Sequence, residues 1–405
     1  MKDSLQRHIL LMYITKISGH RQATLAIQQC LHEVCPQAIA PTINAFGYIY
    51  PRMEKIVHNA YMSVIKRTPQ LWDYLYDNPK IFKKSQGVKK FLHKKSFERL
   101  DRLFAKYHPD TVVCTQAFPC GLVADYKRER NLKITLMGVL TDFAPHLFWI
   151  HEGVDYYIVP SAEAKERFMA KGVPGESIKV YGIPIRTKFS MKLDKNVIAK
   201  RIGLNPQIPA ILIMGGGQGL GPMKSIVQSL LKIDLPFQMM VLTGTNQRML
   251  QSLKKYEELS KKRFFVFGYV KNVDELMELA SLIITKPGGM TTAESLAKRL
   301  PMLIVDPIPG QEMRNTDFLI KNGIAIRVDK SDDAAEEVEL LLKSPSRLAA
   351  MSNAAYGHAK PNATLDVVRL ILNNKQEKSL LNPQENRSVL GDDIGNRFFS
   401  QDKLI

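Results

Sequence analysis

Residues 283–295 read Ile-Ile-Thr-Lys-Pro-Gly-Gly-Met-Thr-Thr-Ala-Glu-Ser. The apolar start is typical of a buried strand, and Pro287-Gly288-Gly289 predicts a turn that opens directly into a helix. Backbone N–H groups at a helix N-terminus are unpaired and lie at the positive end of the helix dipole, so they suit a phosphate. Glu294, one turn further along, is better placed to accept hydrogen bonds from sugar hydroxyls. A phosphate together with a sugar indicates a nucleotide.

A second glycine segment, residues 215–221, follows the apolar run 211–214 and reads Gly-Gly-Gly-Gln-Gly-Leu-Gly. Pro222 stands where a Walker loop needs lysine, and again where the dinucleotide fingerprint needs its last glycine. The segment therefore supports neither an ATPase nor a Rossmann oxidoreductase. Glycine still lets the backbone approach a phosphate or a sugar closely.

Short apolar runs alternate with helical patterns along most of the chain, which predicts an α/β fold with parallel sheets. The break near residues 184–195 divides these runs into two domains. We predict an N-terminal domain over 1–187, a C-terminal domain over 188–374 and a flexible polar tail over 375–405. Because ligands bind outside the carboxyl ends of parallel strands, two such domains facing each other form a cleft. The predicted strands are 8–14, 112–114, 134–138 and 156–159, then 211–214, 238–242, 264–267, 282–285 and 302–305.

The chain of 405 residues has a formal net charge of +18, so it seeks an anionic partner. Residues 50–107 form an insertion with fourteen Lys or Arg residues, five acids and several aromatic residues. Basic residues interleaved with aromatic ones suit a helix at the surface of an anionic membrane, although a solvated helix with aromatic core residues has the same pattern. A nucleic-acid-binding protein is the non-enzymatic alternative, but no binding motif supports it. The candidate membrane contacts are Trp72, Lys83, Lys84, Lys89 and Lys90.

The N-terminus lacks a signal-peptide core, and no apolar run is long enough to span a bilayer. Cys30, Cys35, Cys114 and Cys120 match neither a zinc motif nor a disulfide framework, so we expect reduced thiols. These features predict a peripheral protein on the cytoplasmic face of the membrane.

Seven segments together resemble the GT-B glycosyltransferases, in which two Rossmann-like parallel-sheet domains face each other across a cleft. More narrowly, they are similar to the family of monogalactosyldiacylglycerol synthases and processive diacylglycerol glucosyltransferases, and distantly to the peptidoglycan transferase that adds N-acetylglucosamine to lipid I. The segments are 18–23 (Ser-Gly-His-Arg-Gln-Ala), 141–149 (Thr-Asp-Phe-Ala-Pro-His-Leu-Phe-Trp), 180–186 (Val-Tyr-Gly-Ile-Pro-Ile-Arg), 215–221, 268–270 (Gly-Tyr-Val), 286–294 and 309–315 (Pro-Gly-Gln-Glu-Met-Arg-Asn).

The resemblance implies that the C-terminal domain binds a UDP-sugar. In this chain the diphosphate would be held at the helix N-terminus, the ribose by Glu294, the uracil by the 269–270 segment and the transferred sugar by Gln311 and Glu312. The implied donor-binding residues are Arg186, Gly216, Gly217, Gln218, Gly219, Tyr269, Val270, Gly288, Gly289, Met290, Thr291, Thr292, Glu294, Gln311 and Glu312.

The resemblance also implies that His20 is the general base for the acceptor hydroxyl, since a neutral imidazole can take a proton at pH 7. Asp142 is the alternative base or the partner that orients the histidine. Gly19, His146 and Trp149 would shape the acceptor side.

The function implied is an inverting transfer of a hexose from UDP-glucose or UDP-galactose to diacylglycerol, which leaves glucose and galactose as alternatives. No Asp-x-Asp pair stands where a diphosphate metal is expected, so neither a metal nor another cofactor is predicted. A polyprenyl-linked sugar transferase and a UDP-sugar 2-epimerase are the alternative enzymes.

Overall fold

The computed structural model describes residues 6–15, 18–51, 86–143, 146–260 and 262–381. Among the candidate membrane contacts, Trp72, Lys83 and Lys84 lie outside these ranges. Lys89 and Lys90 lie in a helix whose side chains are described only from Ser96 onward. The membrane-facing role of these residues stays a prediction.

The N-terminal domain has a six-stranded parallel sheet in the order β2-β1-β3-β4-β5-β6. Its strands are β1 (Ile9–Tyr13), β2 (Thr42–Asn44), β3 (Thr111–Cys114), β4 (Thr135–Val139), β5 (Tyr156–Ile158) and β6 (Ile178–Lys179). Its helices are α1 (Gly19–Val34), α2 (Ala45–Ile49), α3 (Gln86–Tyr107), α4 (Ala117–Glu129) and α5 (Ala162–Met169).

The C-terminal domain has a second six-stranded parallel sheet in the order β12-β11-β10-β7-β8-β9. Its strands are β7 (Ala210–Met214), β8 (Gln238–Leu242), β9 (Phe264–Phe267), β10 (Leu282–Thr285), β11 (Met302–Val305) and β12 (Ala325–Val328). Its helices are α6 (Lys195–Ile202), α7 (Met223–Leu230), α8 (Gln247–Leu259), α9 (Val273–Leu279), α10 (Gly289–Ala297), α11 (Gln311–Lys321), α12 (Ala334–Leu342) and α13 (Pro345–His358).

The predicted fold class is confirmed: the chain folds as two α/β domains with parallel sheets. The central strands are buried along their whole length, as β1, β7 and β8 illustrate. This burial explains why they read as continuous apolar runs, since helices cover both faces of a parallel sheet. None of the four cysteines forms a disulfide in this structure, and all but Cys35 are buried.

The strand order reverses next to the first strand of each domain. In the first sheet β1 lies between β2 and β3, and in the second sheet β7 lies between β8 and β10. Neighbouring loops leave on opposite sides at such a switch point and open a crevice at the carboxyl ends of the strands. The two switch points therefore place the loops after β1 and β3, and those after β7 and β10, at the expected ligand sites.

The last helix, α14 (Ala363–Leu381), returns to the N-terminal domain. Its apolar residues Val367, Val368 and Ile371 are fully buried in one cluster with Ile9 and Leu11 of β1. Two prediction details are wrong as a result. The C-terminal segment up to residue 374 does not belong wholly to the donor domain, and the polar region after 374 is helical as far as Leu381.

The end of the basic insertion is part of the N-terminal core. Phe97, Leu100 and Leu103 of α3 are almost completely buried, and the Phe97 ring packs edge-on against Tyr126 with centroids 5.4 Å apart. Phe97 therefore does not face a membrane. No helix in the described ranges combines the length and apolarity that a bilayer span requires.

Candidate functional site

The glycine loop after β7 forms a cradle that is hydrogen-bonded to the loop after β8. Two residues of the loop after β8 hold its backbone. The Thr245 amide donates to the Gly217 carbonyl at 3.0 Å, and the Asn246 side chain donates to the Gly219 carbonyl at 3.1 Å. A Cβ at Gly219, whose φ is +59°, would lie 2.0 Å from the Thr243 carbonyl oxygen, so only glycine fits there. At Gly216 and Gly217 a Cβ would meet nothing within 4 Å, so these two residues border open space.

The turn after β10 presents the start of α10 to the same crevice. Gly288 is the N-cap residue and no side chain caps the helix, so the first-turn N–H groups keep their capacity to bind an anion. A Cβ at Gly288 would also meet nothing within 4 Å. Gly288 and the cradle at Gly216 and Gly217 thus border open space at one switch point, as the donor-site prediction requires.

Two predicted donor residues on α10 face elsewhere. Thr292 is fully buried and its hydroxyl has no partner in the described residues. The Met290 side chain is half-buried and reaches Gly19 of the N-terminal domain, where a Cβ would lie 2.9 Å from the Met290 Cγ. Met290 and Gly19 are therefore a contact across the cleft, while Thr292 belongs to the interior of the domain.

The Glu294 carboxyl group lies one turn into α10 and makes no hydrogen bond within the described part of the chain. Burial raises its pKa to about 8, and the charges of Lys188 and Arg186 counter that shift only in part. Arg186 itself donates to the Gln22 side chain of α1 at 3.3 Å. Glu294 thus remains available for hydroxyl groups, as predicted, whereas Arg186 already spans the two domains.

The remaining predicted donor residues differ in their exposure to solvent and in their hydrogen-bond partners. Tyr269, which follows β9, is 63% exposed, and Val270 packs against the core of the C-terminal domain. Glu312 accepts a hydrogen bond from the Ile308 amide at 2.8 Å, and burial raises its pKa. Gln311 is hydrogen-bonded to Asp142 of the other domain. The two predicted sugar readers thus already have protein partners.

Lys286 belongs to the opening segment, but it was not among the predicted site residues. It directly follows β10, and only 16% of its side chain is exposed. Its ammonium group lies 3.4 Å from the Asp306 carboxylate, and its Cε would be 3.3 Å from a Cβ at Gly221. Lys286 therefore places a cation between the glycine loop and the end of β11. A lysine directly before a phosphate-type turn was the available signal.

His20 lies in the first turn of α1, at the switch point of the N-terminal sheet. Its carbonyl accepts hydrogen bonds from the hydroxyls of Thr115 at 2.9 Å and Thr24 at 3.0 Å. Its ring nitrogen Nδ1 lies 2.7 Å from the Thr141 hydroxyl. Burial lowers the pKa of His20 to about 4, so the ring is neutral at pH 7. Burial and the neighbouring His20 also lower the pKa of His146 to about 4.

Asp142 does not orient His20, contrary to one of the two roles predicted for it; Thr141 holds the ring instead. Asp142 is buried between the domains, where Gln311 and Asn315 are hydrogen-bonded to its carboxyl group. Burial raises its pKa to about 6. Asp142 therefore works as a link between the domains in this arrangement.

The residues around Asp142 complete that link. The Phe143 amide donates to the Asn315 side chain at 2.9 Å, and the Phe143 ring stacks on Phe318 with centroids 4.7 Å apart. The Thr141 carbonyl oxygen lies so close to Gly289 that a Cβ there would be 1.7 Å away. Residues 141–143, which we call the bridging loop, thus join the acceptor-side histidine to the N-terminus of α10.

Trp149 does not line the open cleft, but its ring lies beside that of His146 with centroids 6.4 Å apart, so its part in shaping the acceptor side stays a prediction. Its side chain is 3% exposed and packs in the N-terminal core, within 3.4 Å of where a Cβ of Gly138 would lie. His146, by contrast, is near His20 and only partly buried. The described ranges contain no group of three His, Cys, Asp or Glu side chains that could hold a metal ion.

Each of the two domains matches a known family. Residues 20–185 match the monogalactosyldiacylglycerol (MGDG) synthase family, and residues 210–367 match the C-terminal domain of glycosyltransferase family 28. Both matches agree with the resemblance predicted from the sequence.

Proteins named processive diacylglycerol beta-glucosyltransferase are similar over nearly the full length. The one from Bacillus cereus (strain ZK / E33L) is 31% identical over 366 residues, which cover 88% of this chain and 90% of that protein. The one from Bacillus pumilus is 32% identical over 386 residues, which cover 91% and 97%.

Solved structures share the fold at low sequence identity. MurG from Acinetobacter baumannii has a TM-score of 0.63 at 16% identity, with 90% of this chain and 99% of that chain covered. A UDP co-structure of MnaA from S. aureus has a TM-score of 0.59 at 14% identity, with 91% and 97% covered. These likenesses support the two-domain fold alone.

Proposed function

The chain belongs to the family of processive diacylglycerol glucosyltransferases and monogalactosyldiacylglycerol synthases, and from that premise we propose that it transfers a hexose from a UDP-sugar to diacylglycerol. The observation that carries the proposal is the pairing of two elements across one cleft. The glycine cradle and the uncapped start of α10 border open space on one side. A neutral histidine in the first turn of α1 lies on the other side, linked to α10 by the bridging loop.

In the proposed reaction, His20 takes the proton of the diacylglycerol hydroxyl at Nε2, the ring nitrogen that does not face Thr141. The hydroxyl oxygen forms a bond to the anomeric carbon while the bond from that carbon to the UDP oxygen breaks on the opposite face. The configuration of the sugar is therefore inverted, the proton stays on His20 and UDP leaves as the anion.

The departing UDP is proposed to be stabilised by groups that are in place before the reaction. They are the first-turn N–H groups of α10, the backbone of Gly216 and Gly217, and the ammonium group of Lys286. Prearranged donors of this kind stabilise developing charge without having to reorganise. The proposed reaction accordingly needs no metal ion.

The direct test is transfer of radiolabelled sugar from UDP-glucose or UDP-galactose to diacylglycerol in vesicles, with and without EDTA, followed by mass spectrometry of the lipid. We expect one labelled glycolipid series and no effect of EDTA. Absence of glycolipid with either donor would refute the transferase proposal, and loss of activity in EDTA would refute the metal-free one. Conversion of UDP-N-acetylglucosamine without an acceptor would instead identify an epimerase.

The choice of base is tested with two variants. His20→Ala removes the only nitrogen base proposed, and Asp142→Asn keeps the hydrogen-bonding shape of the carboxyl group but removes its charge. We expect His20→Ala to lower kcat by about 10²- to 10⁴-fold, the usual contribution of a general base, and Asp142→Asn to have the smaller effect. The reverse order would assign the base to Asp142.

We also propose that the protein works as a peripheral enzyme on the cytoplasmic face of an anionic membrane, where its diacylglycerol resides. The proposal rests on the basic composition of residues 50–107. Binding to phosphatidylglycerol vesicles should weaken as salt rises, and more so after charge reversal at Lys83, Lys84, Lys89 and Lys90. Sedimentation with vesicles that is unaffected by these changes would contradict the proposal. The protein should not shift an RNA probe at physiological salt.

A further inference from the structure

The bond between the His20 ring and Thr141 joins residues that are 121 positions apart in the chain. Thr141 is the second residue after β4. It is 3% exposed, so water does not compete for its hydroxyl. The distance of 2.7 Å is that of a strong hydrogen bond. The ring also has a hydrogen bond with the Thr115 backbone, which opposes in part the lowering of the His20 pKa by burial.

A threonine hydroxyl can either accept a hydrogen bond from Nδ1 or donate one to it. If the hydroxyl accepts, Nδ1 carries the proton and Nε2 keeps a lone pair that can receive the acceptor's proton. If it donates, Nε2 carries the proton and cannot act as a base. The partner of one ring nitrogen thus sets the chemistry of the other.

The accepting arrangement also suits the product of proton transfer. Once Nε2 has taken the proton, the imidazolium still donates from Nδ1 to the same Thr141 oxygen. That bond becomes charge-assisted and therefore stronger. The histidine is otherwise in a buried setting that disfavours its charged form.

The same threonine is fixed by the opposite domain. Its carbonyl oxygen lies against Gly289 at the start of α10, and the next two residues are hydrogen-bonded to Asn315 of α11. The position of the His20 partner therefore depends on how the bridging loop sits on the two helices proposed to hold the donor.

We propose that Thr141 is a positioning residue for His20: its hydroxyl accepts from Nδ1–H, which leaves Nε2 as the base, and docking of the bridging loop on α10 and α11 fixes this arrangement. The proposal rests on the proposed function, in which His20 is the base. The partner of the His20 ring is thus the neutral hydroxyl of Thr141 and not the carboxylate of Asp142. A hydroxyl does not compete with the imidazole for the proton.

The test compares Thr141→Val, which keeps the shape of the side chain but removes the hydroxyl, with Thr141→Ser, which keeps the hydroxyl. Thr24→Val is the matched control, because its hydroxyl contacts the His20 carbonyl and not the ring. Each variant is studied by ¹⁵N NMR of the full-length protein for the His20 tautomer, by UDP titration and by steady-state kinetics.

In the wild type and in Thr141→Ser and Thr24→Val, we expect the His20 tautomer with the proton on Nδ1. In Thr141→Val we expect a mixture of tautomers and a kcat lowered about 10- to 100-fold, part of the 10²- to 10⁴-fold effect of a general base, with UDP affinity unchanged. An unchanged tautomer in Thr141→Val, or the proton on Nε2 in the wild type, overturns the proposal. Loss of UDP affinity together with kcat would identify Thr141 as structural and overturn it as well.

The NMR measurement needs no turnover, so it separates this proposal from the proposed function. If the wild type made no glycolipid but kept the Nδ1–H tautomer in a Thr141-dependent way, the function would fail and the positioning would stand. If the wild type made glycolipid and Thr141→Val did so equally well, the positioning would fail alone.

Discussion

Gly289→Ala tests the bridging loop most directly, because it adds a single methyl group where the two domains touch. The new Cβ would lie 1.7 Å from the Thr141 carbonyl oxygen and 2.8 Å from its carbonyl carbon. Both atoms belong to the backbone, so no side-chain rotation can relieve the clash. The added methyl leaves the backbone N–H of residue 289 in place.

The size of the effect follows from the distance that must be gained. The carbonyl oxygen has to retreat from 1.7 Å to at least 3.0 Å, so the bridging loop or α10 shifts by more than 1 Å. The same loop carries the hydroxyl that holds the His20 ring at 2.7 Å. A misplacement of about 1 Å can cost about 10²-fold in rate, so we expect kcat to fall by at least that factor.

UDP affinity should change far less than kcat, because the donor groups of α10 move with the helix. The assay is therefore paired: UDP binding by calorimetry and sugar transfer to diacylglycerol. Gly357→Ala in α13 is the control, since its Cβ meets nothing within 4 Å and a helical alanine should stabilise by about 0.5–1 kcal/mol. A Gly289→Ala enzyme with wild-type kcat would show that turnover does not need this contact, and the reasoning about the bridging loop would be wrong.

Four further predictions concern the ligand site and its pH dependence. Glu294→Gln should abolish the release of a proton on UDP binding at pH 7. With a pKa of about 8, Glu294 is protonated before UDP binds, and ribose hydroxyls that donate to its carboxylate would lower that pKa. Calorimetry in buffers of different ionisation enthalpy measures the released proton. Lys286→Gln should weaken UDP binding more than uridine binding, with Lys286→Arg as the control, and equal effects on both would exclude a phosphate contact. Gly217→Ala should weaken UDP binding without lowering the melting temperature, because its Cβ enters open space. His146→Gln should reduce the fall in the free energy of unfolding between pH 6.5 and pH 4. The folded pKa of His146, about 4, lies below its ordinary value of 6.5, so the unfolded state binds more protons in that window and is favoured as the pH falls. Urea unfolding of both proteins at pH 5 and pH 7 measures the difference.

The sequence predicted the central strands almost to the residue but missed three at the sheet edges. β8, β10 and β11 match their predicted bounds, because strands buried on both faces leave an uninterrupted apolar signal. The edge strand β9 was also predicted, because its four residues Phe264–Phe267 are all apolar. The missed strands are β2, β6 and β12, which end their sheets and have only two to four residues each. These three strands are paired on one side only and partly exposed, and their residues carry no comparable apolar pattern.

The donor side of the site was predictable because it is local. The residues from Gly288 to Glu294 form one turn and one helix start, so their geometry follows from neighbours in the chain. Thr141 could not be found in this way, because its partner is 121 positions away and nothing in a Thr-Asp pair specifies a histidine contact. The packing of α14 on the first sheet was missed because it is also a long-range contact. The spacing of Val367 and Ile371 indicates that one face of the helix is buried, but it does not indicate which part of the protein covers that face.

The titratable groups of the cleft share one property that bears on how the donor enters. Burial shifts each toward its neutral form: the pKa falls to about 4 for His20 and His146 and rises to about 6 for Asp142 and 8 for Glu294. At pH 7 the cleft therefore presents neutral histidines, a protonated Glu294 and a mostly ionised Asp142 whose carboxylate is hydrogen-bonded to Gln311 and Asn315. The protonated Glu294 does not repel a diphosphate, while helix N–H groups and Lys286 attract it. Its binding would then bring ribose hydroxyls to Glu294, favour the carboxylate and expel a proton, so that the donor creates the charge that helps to hold it.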